Sequence, residues 1–171
     1  HAQALSDKTA AALRHVFTVD CAMAEGKDPL AKFKNVYEAL DSSSQAEVNR
    51  QLRSLLEQGP SGKDLERFER SLKRQWENRA AFMKQRPRLA LKAEYLELAM
   101  NTKEADFLAQ RRAQFVLRQR TRAAHAIAAT GSPAGVKRLK ELRDSLKDEE
   151  ALREAIGAAL ARFEAQSKKK I

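Results

Sequence analysis

Arg111, Arg118 and Arg122 recur at i, i+7 and i+11, which puts three guanidinium groups on one stripe of a helix, with Arg112 and Arg120 flanking it. A guanidinium forks bidentately onto phosphate oxygens and keeps its charge at every physiological pH. Lys137, Arg138 and Lys140 follow in the next segment, and upstream Lys84, Arg86 and Arg88 flank Pro87. From Ala113 through Leu139 there is no acidic residue. These side chains form a candidate basic face, about residues 84–88 and 111–140. Neutralising several phosphates releases counterions and gives salt-sensitive affinity. In the preceding segment Asp64, Glu66, Glu69 and Glu77 are interspersed with Arg and Lys, a pattern that reads as a solvated mixed-charge face.

Other chemistry finds fewer residues to work with. The histidines are His1, His15 and His125, without the His-Glu-x-x-His spacing of a zinc site. Cys21 is the single cysteine and lies six positions after His15, off its helical face; it reads as a buried, inert thiol. Glu94 and Glu97 at i, i+3, with Asp106 nearby, lack the Glu-x-x-His partner of a bundle metal centre. The six glycines stand singly at helix ends or, as Gly157, inside a helix, so none builds a phosphate-cradling loop. The expectation is a non-enzymatic protein with no metal and no cofactor.

Two segments resemble known motifs. Ala126 to Leu139 reads Ala-Ile-Ala-Ala-Thr-Gly-Ser-Pro-Ala-Gly-Val-Lys-Arg-Leu, which looks like a helix-turn-helix, with a turn glycine at 131 and a basic second helix. Val136 follows Gly131 by five positions where the bacterial pattern has about six, and a tight αα-corner accounts for the same residues. Ala124-His125-Ala126-Ile127, with Gly135 ten positions after the histidine, is similar to the phosphoacceptor segment of histidine phosphotransfer domains. That resemblance implies a helical bundle with His125 as phosphoacceptor; where the family carries Lys and Gly, this chain has Ala128 and Ala129. From the residues alone, His125 reads as a surface residue near a helix C-terminus, where a cation is favoured by the dipole.

Composition narrows the classes further. The chain has 171 residues, 43% of them apolar, with 33 Lys and Arg against 23 Asp and Glu, for a formal charge of +10. All of that excess comes from the middle: residues 1–60 net −1, 61–100 net +4, 101–143 net +7 and 144–171 net zero. Collagen-like and disordered classes are excluded, and one cysteine excludes a disulfide framework. No apolar run is long enough to span a bilayer. The expected partner is nucleic acid, with an anionic membrane surface or an acidic protein as the alternatives. Phosphotransfer through His125 stands third. The lone thiol points to a reducing, cytoplasmic setting, and His at position 1 points to a processed product, a tagged chain or a fragment of a larger protein.

The elements that position these residues are helices. Alanine occurs 30 times, whereas Val, Ile and Thr together number only 14, and β-branched side chains lose rotamer freedom in a helix. Ser6-Asp7 opens a helix through Leu13 and Phe17 that Gly26 closes; Asp28-Pro29 opens a second carrying Leu30, Phe33, Tyr37 and Leu40. Ser44-Gln45-Ala46-Glu47 reads as a capping box ahead of Val48, Leu52, Leu55 and Leu56, with a stop at Gly59-Pro60. Leu65, Phe68, Leu72 and Trp76 mark a long amphipathic helix running towards Pro87, with Trp76 expected as the largest core anchor. Beyond Pro87 a further helix carries Leu89, Tyr95, Leu96 and Met100, after which Asn101 to Glu104 is either a break with a new cap or a polar stretch inside one continuous helix. Leu108, Phe115 and Ile127 continue to Gly131; Ser132-Pro133 starts a helix with Val136, Leu139 and Leu142; Asp148 caps a last one with Leu152, Ile156, Leu160 and Phe163. The expectation is an all-α, compact bundle of seven or eight helices in one domain, with a possible sub-division into near-neutral 1–60 and basic 61–171.

Overall fold

The computed structural model describes residues 6–17, 29–79, 81 and 101–169, and among them are seven α-helices and no strand. They are α1 Asp7–Phe17, α2 Ala31–Glu38, α3 Ser42–Gln58, α4 Gly62–Glu77, α5 Glu104–Thr130, α6 Pro133–Ser145 and α7 Glu150–Lys168. The protein is all-α, as its alanine excess and capping residues imply. No helix among the described residues is long and apolar enough to cross a membrane. The expectations placed on Cys21, Gly26, Asp28, Pro87, Glu94 and Glu97, and the helix expected through Leu89, Tyr95, Leu96 and Met100, lie outside the described residues.

The chain divides into two compact units, one formed by His1–Gly59 with Leu117–Ile171 and one by Pro60–Val116. The first unit holds a continuous apolar core. Ala12, Leu13 and Val16 of α1 join Phe33 and Tyr37 of α2, and Val48, Leu52 and Leu56 of α3. Ile127 of α5, Leu139 of α6 and Leu152, Ile156 and Leu160 of α7 complete it. Each set recurs every three or four positions, which lines one helical face. Residues Ala123 through Ala128 of α5 are all buried, so every face of that stretch is covered. Five alanines between 123 and 129 supply the small cross-section that lets neighbouring backbones come close on all sides.

In the second unit α4 and the Glu104–Val116 stretch of α5 run antiparallel, as their ring pairs show. Phe68 stacks on Phe115 at 4.0 Å between centroids and 10° between planes, and Trp76 tilts against Phe107 at 5.2 Å and 39°. Leu72, midway between the two α4 rings, is 3% exposed. Trp76 itself is only half-buried and does not anchor the main core; Phe33, in the first unit, is the largest fully buried side chain among the described residues. The amphipathic spacing placed Trp76 on the right face of α4, but spacing cannot tell which unit that face helps to build.

The helix ends show local rules being overridden by better partners. α3 opens at Ser42, not at Ser44, because the Asp41 carboxylate accepts from the Ser44 amide at 2.8 Å and so caps a turn earlier. Those hydrogen bonds from Ser44 hold the Asp41 carboxyl below its ordinary pKa. Glu47, freed from the capping box, pairs instead with Arg50 and accepts from Gln51. Thr102 and Lys103 break the helix ahead of α5. The α5–α6 corner turns on Gly131 at φ 68°, with Ser132 capping α6 through the Gly135 amide and Pro133 in its first turn. α7 has Glu149 at its N-cap position in place of Asp148, with no side-chain cap bond.

Candidate polyanion-binding surface

α5 carries the central arginines of the basic face, and their fates differ along its length. Arg111 and Arg118 are exposed. The Arg111 guanidinium lies 5.6 Å from the centroid of the Phe107 ring, one helical turn back, and Arg118 forms no ion pair among the described residues. Arg112 is exposed and reaches Glu69 of α4 at 3.3 Å. Arg122, on the same stripe as Arg111 and Arg118, is half-buried and donates through Nη1 to the Phe17 carbonyl at 2.6 Å. The stripe changes character there because α5 enters its fully covered stretch at Ala123.

Arg120 is drawn inward. Its Nε donates to the Leu56 carbonyl at the end of α3 at 2.7 Å, and its Nη1 donates to Glu149 at 2.8 Å. On α6, Arg138 sits between Glu57 at 2.5 Å and Glu141 at 3.4 Å, and hydrogen bonding to Glu57 raises its pKa further. Lys137 lies 4.0 Å from the same Glu141, whereas Lys140 is exposed and forms no ion pair among the described residues. The acid-free run from Ala113 to Leu139 is thus supplied with carboxylates from α3, from α6 and from the start of α7. Lys84, Arg86 and Arg88 lie outside the described residues.

α4 carries a second cationic feature. Lys63, Arg67, Arg70 and Arg74 of α4 fall at i, i+4, i+7 and i+11; all four are exposed and none is in an ion pair among the described residues. At 3.6 residues per turn they fit within about 60° of arc and run for about 16 Å. Leu65, Phe68, Leu72 and Trp76 occupy the opposite pole of the same helix. Of the interspersed acids, Glu69 is taken by Arg112 and Asp64 accepts from the Ser61 hydroxyl at 3.0 Å, while Glu66 and Glu77 border the stripe without forming an ion pair with it among the described residues. The signal that reveals the stripe is the four-three-four spacing, which counting opposite charges in the segment conceals.

His125 is 6% exposed, inside the covered stretch of α5, and not on the helix surface. Burial pushes its pKa down to about 4, and the charge of Arg162 pushes in the same direction. A phosphoacceptor needs an accessible imidazole, which this side chain is not. Among the described residues no three His, Cys, Asp or Glu side chains converge as metal ligands. Comparison with protein-family models, with curated proteins and with solved structures finds no match to this chain.

Proposed function

We propose that this protein is a non-catalytic helical module that binds a polyanion, nucleic acid, through the exposed cationic stripe of α4, with Arg111 of α5 in the same compact unit as a further basic group. The observation that carries this reading is the row Lys63, Arg67, Arg70 and Arg74, exposed and without ion-paired carboxylates among the described residues. Three of the four are arginines, whose rigid forks suit phosphate better than a lysine ammonium does.

The distribution of apolar side chains on α4 favours nucleic acid over a membrane surface. A helix lying in a bilayer interface buries its apolar face among the acyl chains, with its cations spread around the polar side near the headgroups. Here the cations and Leu65, Phe68, Leu72 and Trp76 stand on opposite poles, and those rings are already engaged with α5. Approaching headgroups with the stripe would bring none of the apolar side chains of α4 to the membrane. The test is a titration of oligonucleotides and anionic vesicles at several salt concentrations. Four phosphate contacts give a plot of log affinity against log salt with a slope of about −3 on a single strand. Salt-insensitive binding, or none to any nucleic acid, overturns the reading, and preference for vesicles transfers it to lipid.

A further inference from the structure

Resting on that reading, the geometry of α4 narrows the class of nucleic acid. We infer that the stripe binds a single strand by its sugar–phosphate backbone and does not read its bases. Two features of the helix lead there, one bearing on the strand and one on the bases.

The stripe is straight and about 16 Å long. A helix seated in the major groove turns its pole to the base edges and its flanks to the two phosphate walls. One flank of the stripe carries Glu66 and Glu77 beside Lys73, and the other carries Asp64, so seating it in a groove sets three carboxylates and one ammonium against the phosphates. Lying along the outside of a duplex is no better. Each strand of B-DNA winds through a full turn in about 34 Å and curves away from a straight rod of this length. A flexible single strand can follow it.

Among the described residues of α4, no aromatic ring stands at this pole for bases to stack on. Single-strand binders that engage bases do so with exposed aromatic rings. The α4 residues that border the stripe include Glu66, Lys73 and Glu77, and the rings of α4, Phe68 and Trp76, face the other way. Binding therefore follows phosphate number and salt, not sequence.

Trp76 is the only tryptophan in the chain and makes the test direct. Oligothymidylate, oligoadenylate and a mixed-sequence duplex of equal strand length are titrated against the intact protein at one moderate salt concentration, by anisotropy of a labelled strand and by Trp76 emission. The two single strands are expected to bind within about threefold of each other, the duplex about tenfold more weakly, with Trp76 emission unquenched. The variant Arg67→Gln/Arg70→Gln, checked for unchanged helicity, is expected to lose about tenfold on both single strands alike. A strong preference for one base, quenching of Trp76, or equal or better binding to the duplex overturns the inference while leaving nucleic-acid binding standing. Absence of binding to all three overturns the underlying reading as well.

Discussion

Arg120 and Glu149 meet at 2.8 Å across 29 positions of sequence, and the same guanidinium donates to the Leu56 carbonyl at 2.7 Å. One side chain of α5 therefore holds the C-terminal end of α3 and the residue preceding α7. Its side chain is 13% exposed, whereas Glu149 is 50% exposed, so most of the desolvation falls on the arginine. Arg120→Ala is expected to cost about 2 kcal/mol, because it leaves the Leu56 carbonyl without its donor as well as the carboxylate without its partner. Glu149→Gln should cost less than half as much. Urea midpoints of the two variants check the order; equal losses would mean that the carbonyl bond contributes nothing.

Stability should also depend on pH through His125. Its pKa is about 4 in the folded chain against an ordinary 6.5, so the unfolded chain takes up the proton first as the solution is acidified. The stabilisation is complete above pH 6.5, falls as pH drops through the window from 6.5 to 4, and amounts to roughly 3 kcal/mol for a difference of this size. Denaturant unfolding of the protein and of His125→Leu across that window checks this. The variant is expected to show a flatter pH profile, and parallel profiles would refute the assignment.

Two glycines should respond to alanine with opposite signs. A Cβ on Gly135 would lie 2.9 Å from Cγ2 of Ile127, whereas nothing lies within 4 Å of one on Gly157. Gly135→Ala is expected to destabilise by about 1–3 kcal/mol through overpacking of the α5–α6 corner. Gly157→Ala, inside α7, should stabilise by up to about 1 kcal/mol by lowering the entropy of the unfolded chain. Thermal melts of the two variants decide it.

Removing charge from α4 should separate binding from stability. Arg67→Ala and Arg70→Ala are each expected to reduce the slope of log affinity against log salt by about 0.7 on single strands. Each should change folding stability by no more than about 0.5 kcal/mol. Arg138→Ala, whose guanidinium is shared between Glu57 and Glu141, should leave the salt slope unchanged. A loss of slope at Arg138 equal to that at Arg67 would move the binding surface to α6.

The helices and most of their core faces were legible in the sequence because they depend on spacing within a single element. Leu52 and Leu56, or Ile156 and Leu160, need only a period of four to be placed on a buried face. What spacing cannot show is which distant segment arrives. The carboxylates that engage Arg120 and Arg138 come in part from Glu149 and Glu57, far along the chain. His125 looked like a surface residue because its neighbours are alanines, which carry no strong hydrophobic signal singly. Yet their small size is what lets other helices enclose the imidazole. The α4 stripe was readable from its spacing and was obscured by acids in the same segment, of which the fold pairs Glu69 with Arg112 of α5.

The first compact unit is assembled from the two ends of the chain, His1–Gly59 and Leu117–Ile171, with Pro60–Val116 between them. Synthesis from the N-terminus therefore delivers α1, α2 and α3 well before the segments that cover them. At about 5–20 residues per second, the stretch after Val116 takes several seconds to make. During that time Val16, Val48 and Leu52 lack Ile127, Leu139 and Ile156, with which they share a core. A nascent chain halted after Val116 would carry the cationic stripe of α4 complete while half of its neighbouring core was still unwritten. Premature termination there would leave a sticky fragment that retains the exposed cationic stripe.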